Sequence, residues 1–317
     1  MKLDGLVRIC QEFGKDMLLV QAGGGNVSVK TRDRLAVKAS GIRLGKVSAR
    51  RGIARADQKK LLAGMAVLGK VPAGTPRELA YVKLLGDAGT GKWRVSMEAG
   101  FHAAIPHTYV AHHHSLAGIL LGMESDAVLK RLIKKEFGSA VSLALLPAAV
   151  PGANLSLDLR RIAMRLPRKK PLLAILRNHG LVWAADSSGK VLALSRKFER
   201  AFRRRYGIEA FPYPVVRKGE LRFDAWAPCK FDFKSMFPDF TVYLKPGDLK
   251  RVSSTRVRIR SKNESDRSNK EEVFFAHALV SSAAIGNVRV KYLSKSITAS
   301  IRKLETERLR LKQAAKA

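Results

Sequence analysis

Apolar residues recur at helical spacing from the start of the chain, at Leu3, Leu6, Val7, Cys10 and Phe13, and predict an amphipathic helix within residues 1–20. The pattern then shortens to alternation. Asn26-Val-Ser-Val-Lys30 and Leu35-Ala-Val-Lys-Ala-Ser-Gly41 read as two short strands, the second ending in a turn of small residues. Helical periodicity returns over 55–69, and Thr75, Pro76 and Glu78 mark the N-terminus of a helix that reaches about Leu85. A short helix opens at Glu98, a strand starts at Tyr109, and residues 115–137 read as helical from a serine cap. Residues 143–159, with Pro147, Pro151 and Gly152, predict a loop that runs into a helix near 156–165. An apolar strand over 171–185 carries Asn178-His-Gly180, and a long amphipathic helix ends near Tyr206.

The pattern changes at about residue 212, where Phe211-Pro-Tyr-Pro begins an aromatic stretch with few helical signals. Two units follow, 1–212 and a C-terminal extension over 213–317. The extension reads as mixed strands, a mobile basic loop at Ser261–Lys270 and terminal helices, the last running into Leu-Glu-Thr-Glu-Arg-Leu-Arg.

A chain of 317 residues that is 46% hydrophobic folds around a substantial core rather than remaining disordered. Its two cysteines, Cys10 and Cys229, sit in unrelated contexts, which excludes a disulfide framework and points to a reducing cytoplasm. No apolar run reaches the length of a membrane span, and the N-terminus lacks the apolar core of a signal peptide. The net charge of +34 draws polyanions. The basic residues are scattered, however, and no nucleic-acid-binding signature accompanies them, so nucleic acid enters as a partner only through general charge.

Chemistry concentrates at residues 94–115, which hold five of the seven histidines: His102, His107, His112, His113 and His114. A strand sends i and i+2 to one face, so His112 and His114 point together and His113 points away. Imidazoles roughly 6–7 Å apart along a strand can close on one divalent ion, because zinc–nitrogen bonds are only about 2 Å long. The same pattern also fits two hydrogen-bonded histidines, and a third ligand distinguishes the two. Outside the stretch stand only His179, at a turn-like step after an apolar strand, and His277, which reads as a packed core histidine. Glu98 is the nearest carboxylate, and His102, four residues later on the same helical face, reads as a packing residue. The run Gly23-Gly-Gly-Asn-Val-Ser fits a plain loop or a turn whose amides approach an anion; it has neither the Walker nor the dinucleotide-binding spacing.

Gly-Gly-Gly-Asn-Val-Ser-Val-Lys, the Ala-Ser-Gly turn, Ser96-x-Glu98, the His-x-His strand and Asn-His-Gly, in this order, resemble the class II aldolase/adducin family over residues 20 to about 206. The pattern is most similar to the aldolase portion of bifunctional rhamnulose-1-phosphate aldolase/short-chain dehydrogenases. Those proteins share His102-Ala-x-x-Pro-His107, Phe237-Pro-Asp239 and the pattern at 292–308. Because no dehydrogenase portion follows, a stand-alone aldolase-type protein is expected.

The resemblance implies a three-layer α/β/α sandwich with a mostly antiparallel central sheet, a divalent metal, most often Zn2+, and a homotetramer. It implies His112, His114 and His179 as metal ligands and Glu98 as the catalytic acid/base. It places Gly25, Asn26, Ser40, Gly41 and Ser96 where a substrate phosphate is held. The implied reaction is cleavage of a phosphorylated ketose to dihydroxyacetone phosphate and an aldehyde through a metal-stabilised enediolate. Epimerisation or dehydration of a sugar phosphate at the same site, or a non-catalytic adducin-like or polyanion-binding role, are the alternatives. Val95 stands where close relatives carry proline, Ala111 where an acid is common, and the loop at 143–153 has no tyrosine.

Overall fold

The computed structural model describes residues 3–217 and 219–304. In chain order the first part comprises α1 (Asp4–Gly14), β1 (Asn26–Lys30), β2 (Arg34–Lys38), β3 (Ile53–Asp57), α2 (Gln58–Leu68), α3 (Thr75–Ala88), α4 (Ala99–Ala104) and β4 (Tyr109–His113). It continues with α5 (Leu116–Met123), α6 (Asp126–Phe137), β5 (Ser142–Leu146), α7 (Ala153–Ala163), β6 (Leu172–Leu176), β7 (Gly180–Ala185) and α8 (Ser188–Arg205). Among the described residues the main sheet has seven strands in the order β3-β2-β1-β4-β7-β6-β5.

Each neighbouring pair runs antiparallel except β5–β6, which is parallel. The sheet is therefore mixed rather than antiparallel throughout: five of its six neighbouring pairs are antiparallel and one is parallel. The reason is local: α7 lies between β5 and β6 in the chain, and a crossover helix returns the second strand in the same direction as the first.

Both faces of the sheet are buried, and the period of two along the strands separates them. Val110, Leu172, Ala174, Leu176, Val182 and Ala184 pack on one face with Phe101 of α4 and Leu155 and Leu159 of α7. Ala111, Leu173, Ile175, Leu181 and Trp183 face the other way, into the larger cluster that holds α1, α5 and α8. This gives helix, sheet and helix layers. Every residue of α5 is buried.

Five elements depart from the sequence reading. The strand read over 171–185 is two, β6 and β7, paired antiparallel across the turn that holds Asn178 and His179. Residues 53–57 form β3 ahead of the predicted helix, and 142–146 form β5 where a loop is expected. The predicted helix over 115–137 is two helices, broken where the Ser125 hydroxyl caps α6 by accepting from Val128 N. The predicted mobile loop at 261–270 instead opens a long helix.

The extension contains β8 (Val215–Arg217), β9 (Glu220–Arg222), α9 (Pro238–Tyr243), β10 (Leu249–Arg251), β11 (Arg256–Ile259), α10 (Glu264–Ala283) and α11 (Lys295–Lys303). Its strands form a second sheet in the order β10-β11-β9-β8. Asn263 caps α10 by accepting from Asp266 N, and buried Lys270 is held by Asp248 at 3.1 Å and Asp266 at 3.0 Å. Polar composition there reflects capping and ion pairing rather than mobility. Phe223, Phe231, Phe240 and Phe274 of the extension share one apolar cluster with Leu6, Ile119 and Trp183 of the first part. The Glu-x-x-Arg end of the 292–308 pattern lies outside the described residues. No helix among the described residues is long and apolar enough to cross a membrane.

Candidate metal centre

β4 runs through the middle of the sheet, between β1 and β7, and its carboxyl end carries the histidines. His112 pairs with Asn26 on β1 and Val182 on β7. His114 follows at the strand exit, and Ser115 caps α5. The pleat turns His112 and His114 to the same side and His113 to the other, where its ring meets Phe13 edge-on at 4.7 Å.

The third imidazole arrives on the β6–β7 turn. Asn178 there is left-handed, with φ 59°, and its amide donates to Met236 O at 2.9 Å and Lys291 O at 2.7 Å. Gly180 has φ 147°, and a Cβ on it would stand 2.3 Å from His113 O, so only glycine lets the turn approach β4 this closely. His179 is thereby carried to ring-centroid distances of 4.8 Å from His112 and 5.0 Å from His114.

Glu98 completes the group from the N-terminus of α4, its Oε1 lying 3.2 Å from His112 Nε2 and 3.9 Å from His179 Nε2. Ligand atoms of Glu98, His112, His114 and His179 all lie within 4.8 Å of one another. The other histidines stay outside this group. His102 is buried against Ser28 Oγ at 2.8 Å and stacked on Phe101, His107 meets Lys170 O at 2.9 Å, and His277 lies among Phe237, Phe240 and Phe274.

Hydrogen bonds assign the tautomers. His112 Nδ1 faces Leu181 O at 2.9 Å, so Nδ1 carries the proton and donates it. Burial holds the His112 pKa below the ordinary imidazole range, with the charge of Glu98 opposing, so this ring is neutral and its Nε2 is bare. His114 Nδ1 faces the Asp239 carboxylate at 2.5 Å and donates to it. The two Nε2 atoms then face each other at 3.1 Å. Converging imidazole nitrogens beside a carboxylate suit a divalent cation of the zinc type, and the residues present fit that ion.

The five residues implied for phosphate, Gly25, Asn26, Ser40, Gly41 and Ser96, line the same pocket as Glu98, His114 and His179. The Asn26 amide donates to Ser96 Oγ, which also accepts from Glu98 N at 3.3 Å. The two ends of the pocket are thus tied together through one hydroxyl.

Two pocket residues escaped the sequence reading. Lys38, buried at the end of β2, donates to Gly23 O at 3.1 Å and Ile42 O at 2.8 Å and brings a cation to the end of the pocket lined by Gly25, Ser40 and Gly41. Its place in Val37-Lys-Ala-Ser-Gly41, two residues before Ser40, was the available signal. Asp239, the partner of His114, lies in the Phe-Pro-Asp segment that the resemblance includes without assigning it a role.

The family model described as the Class II Aldolase and Adducin N-terminal domain matches residues 4–206. Among solved structures, the N-terminal class II aldolase domain of a conserved protein from Thermoplasma acidophilum is 26% identical, with a TM-score of 0.54 over 64% of this chain and 93% of that one. L-fuculose-1-phosphate aldolase from Thermus thermophilus is 15% identical with a TM-score of 0.40, over 67% of this chain and 100% of its own. An aldolase II superfamily protein from Pseudomonas syringae is 18% identical with a TM-score of 0.43, over 67% and 77%. No curated protein matches the chain significantly. The family match extends from α1 to the end of α8 and takes in all three converging histidines and Glu98; the chain belongs to the class II aldolase/adducin family.

Proposed function

We propose that the protein is a metal-dependent aldehyde-lyase that cleaves a phosphorylated ketose to dihydroxyacetone phosphate and an aldehyde, with zinc held by His112, His114 and His179. The observation that carries this reading is the meeting, in one pocket, of three histidines and a glutamate with a polar cradle that contains a buried lysine.

The substrate phosphate lies against Gly25, Asn26, Ser40, Gly41 and Ser96, and the Lys38 ammonium offsets its charge. A divalent cation, when bound, supplies the Lewis acid that polarises the ketose carbonyl. Glu98 moves the proton. The C4 hydroxyl gives up its proton as the C3–C4 bond breaks and its oxygen becomes the aldehyde carbonyl; Glu98 returns a proton to C3 of the three-carbon fragment, and in the condensing direction it removes that proton. The Ser96 hydroxyl, hydrogen-bonded to both Glu98 N and the Asn26 amide, keeps the carboxylate and the cradle in register.

The test is product analysis. Zinc-loaded protein is incubated with ketose 1-phosphates, dihydroxyacetone phosphate is followed by coupled NADH oxidation, and the phosphorylated species are followed by NMR. Triose phosphate that disappears in Glu98→Gln is the expected result. An epimer or a dehydrated sugar phosphate without triose phosphate rejects the lyase reading.

A further inference from the structure

The family domain ends at residue 206, yet the site described above is not made by that domain alone. Six contacts tie its parts to the extension. Asp239, at the start of α9, accepts from His114 Nδ1 at 2.5 Å, and both residues are buried. Tyr243, at the end of the same helix, accepts from Gly23 N at 3.2 Å. Glu272 on α10 accepts from Ala22 N at 2.7 Å and pairs with Arg43 at 2.8 Å. The amide of Asn178, next to His179, is held by the carbonyls of Met236 and Lys291.

These contacts give the glycine run a purpose that phosphate binding does not. A Cβ on Gly24 would stand 2.7 Å from His114 Nδ1 and 2.9 Å from Asp239 Oδ2. A side chain at 24 would therefore collide with the His–Asp pair itself. The loop is bare here so that α9 can seat its carboxylate against the strand exit.

We propose that residues 236–293 are a clamp that assembles the metal centre, with Asp239 as the positioning residue that fixes the His114 ring and keeps its proton on Nδ1. This rests on the reading that His112, His114 and His179 hold a metal. The physical reason is the usual one for a ligating histidine: a carboxylate on the far nitrogen sets the tautomer, orients the ring and makes the near nitrogen a better donor. The Asn178 contacts do the same for the turn that carries His179. The metal centre is thus held on two sides by residues outside the family domain.

The test is zinc affinity of the full-length chain, measured by competition with a chromophoric chelator. Asp239→Asn keeps the shape of the side chain and removes its charge, and is expected to weaken Zn2+ about 10–100-fold. Asp239→Glu, which restores the carboxylate, is expected to recover part of that loss. Wild-type and Asp239→Asn proteins that bind Zn2+ within twofold of each other overturn the clamp and leave the metal reading standing. Wild-type protein that binds no Zn2+ overturns both. Should Asp239→Asn not fold, long-range 15N–1H correlation on the zinc-free wild type decides. A His114 proton on Nδ1 supports the assignment, and one on Nε2 overturns it.

Discussion

The Tyr81 hydroxyl donates to the Met97 carbonyl at 2.6 Å, and the residue after Met97 is Glu98. The same oxygen accepts from Gly100 N at 3.1 Å and meets Ser156 Oγ at 3.0 Å, so one phenol on α3 spans the turn from which Glu98 projects. Burial pushes the Tyr81 pKa upward, which keeps it a donor at any working pH. Tyr81→Phe leaves a buried carbonyl and a buried amide without this partner. The expected destabilisation is about 1–3 kcal/mol by urea unfolding. On the proposed function kcat should fall more than KM changes, because a displaced Glu98 would harm the proton transfer and not the proposed phosphate contacts.

Glu98→Gln preserves volume and removes the proton acceptor. Turnover should fall by about 10²–10⁴-fold while bound zinc per chain, read by elemental mass spectrometry, stays near the wild-type value. Near-normal turnover in this variant excludes Glu98 as the acid/base.

His277 makes stability depend on pH. Its ring is fully buried, with Nε2 donating to Lys234 O at 2.8 Å and the Asp232 carboxylate 3.7 Å away, and burial lowers its pKa from 6.5 to about 4. The unfolded chain takes up a proton between pH 6.5 and 4 that the folded chain refuses. The contribution of His277 is therefore complete above pH 6.5 and lost as pH falls through about 4, an effect of about 3 kcal/mol at about 1.4 kcal/mol per pH unit. Buried His102, His112 and His113 are lowered as well and add to the slope. Glu199, raised by burial to about 7, acts in the opposite sense, stabilising below the ordinary carboxylate range and losing that contribution as pH rises to 7. Unfolding free energy measured from pH 7 to 4 should decline, and His277→Gln should decline less steeply.

Asn178 serves both backbone and tertiary structure. Asn178→Gly keeps access to φ 59° and loses the two amide contacts; Asn178→Ala loses both advantages. The alanine variant should be the less stable of the two by about 1 kcal/mol, and both should fall below wild type. Equal stabilities would show that the left-handed turn is not under strain.

The histidine cluster was legible because a strand has a rigid period: His112 and His114 had to share a side, and His113 had to leave it. Helices with clear apolar stripes, such as α1 and α8, were legible for the same reason. β3 was not, since Ile53-Ala-Arg-Ala-Asp57 carries one β-branched residue and runs straight into a helix. β5 was hidden by the prolines that follow it. Lys270 was misread because nothing local shows that Asp248, far back in the chain, stands ready to neutralise it. Asp239 was beyond reach for a similar reason, since its meaning depends on a histidine 125 positions earlier.

That separation also sets an order of events during synthesis. The three histidines and Glu98 have all been made once residue 179 has been added, but the carbonyl of Lys291, the carboxylate of Glu272 that holds Ala22 across 250 positions and the partner of His114 emerge only afterwards. Contacts of such long range close late, because the intervening chain must first lose its freedom. A nascent chain therefore carries all three histidines and Glu98 well before it has the residues that aim them, and the pocket takes its final shape only as α9, α10 and the segment reaching Lys291 fold back onto the domain.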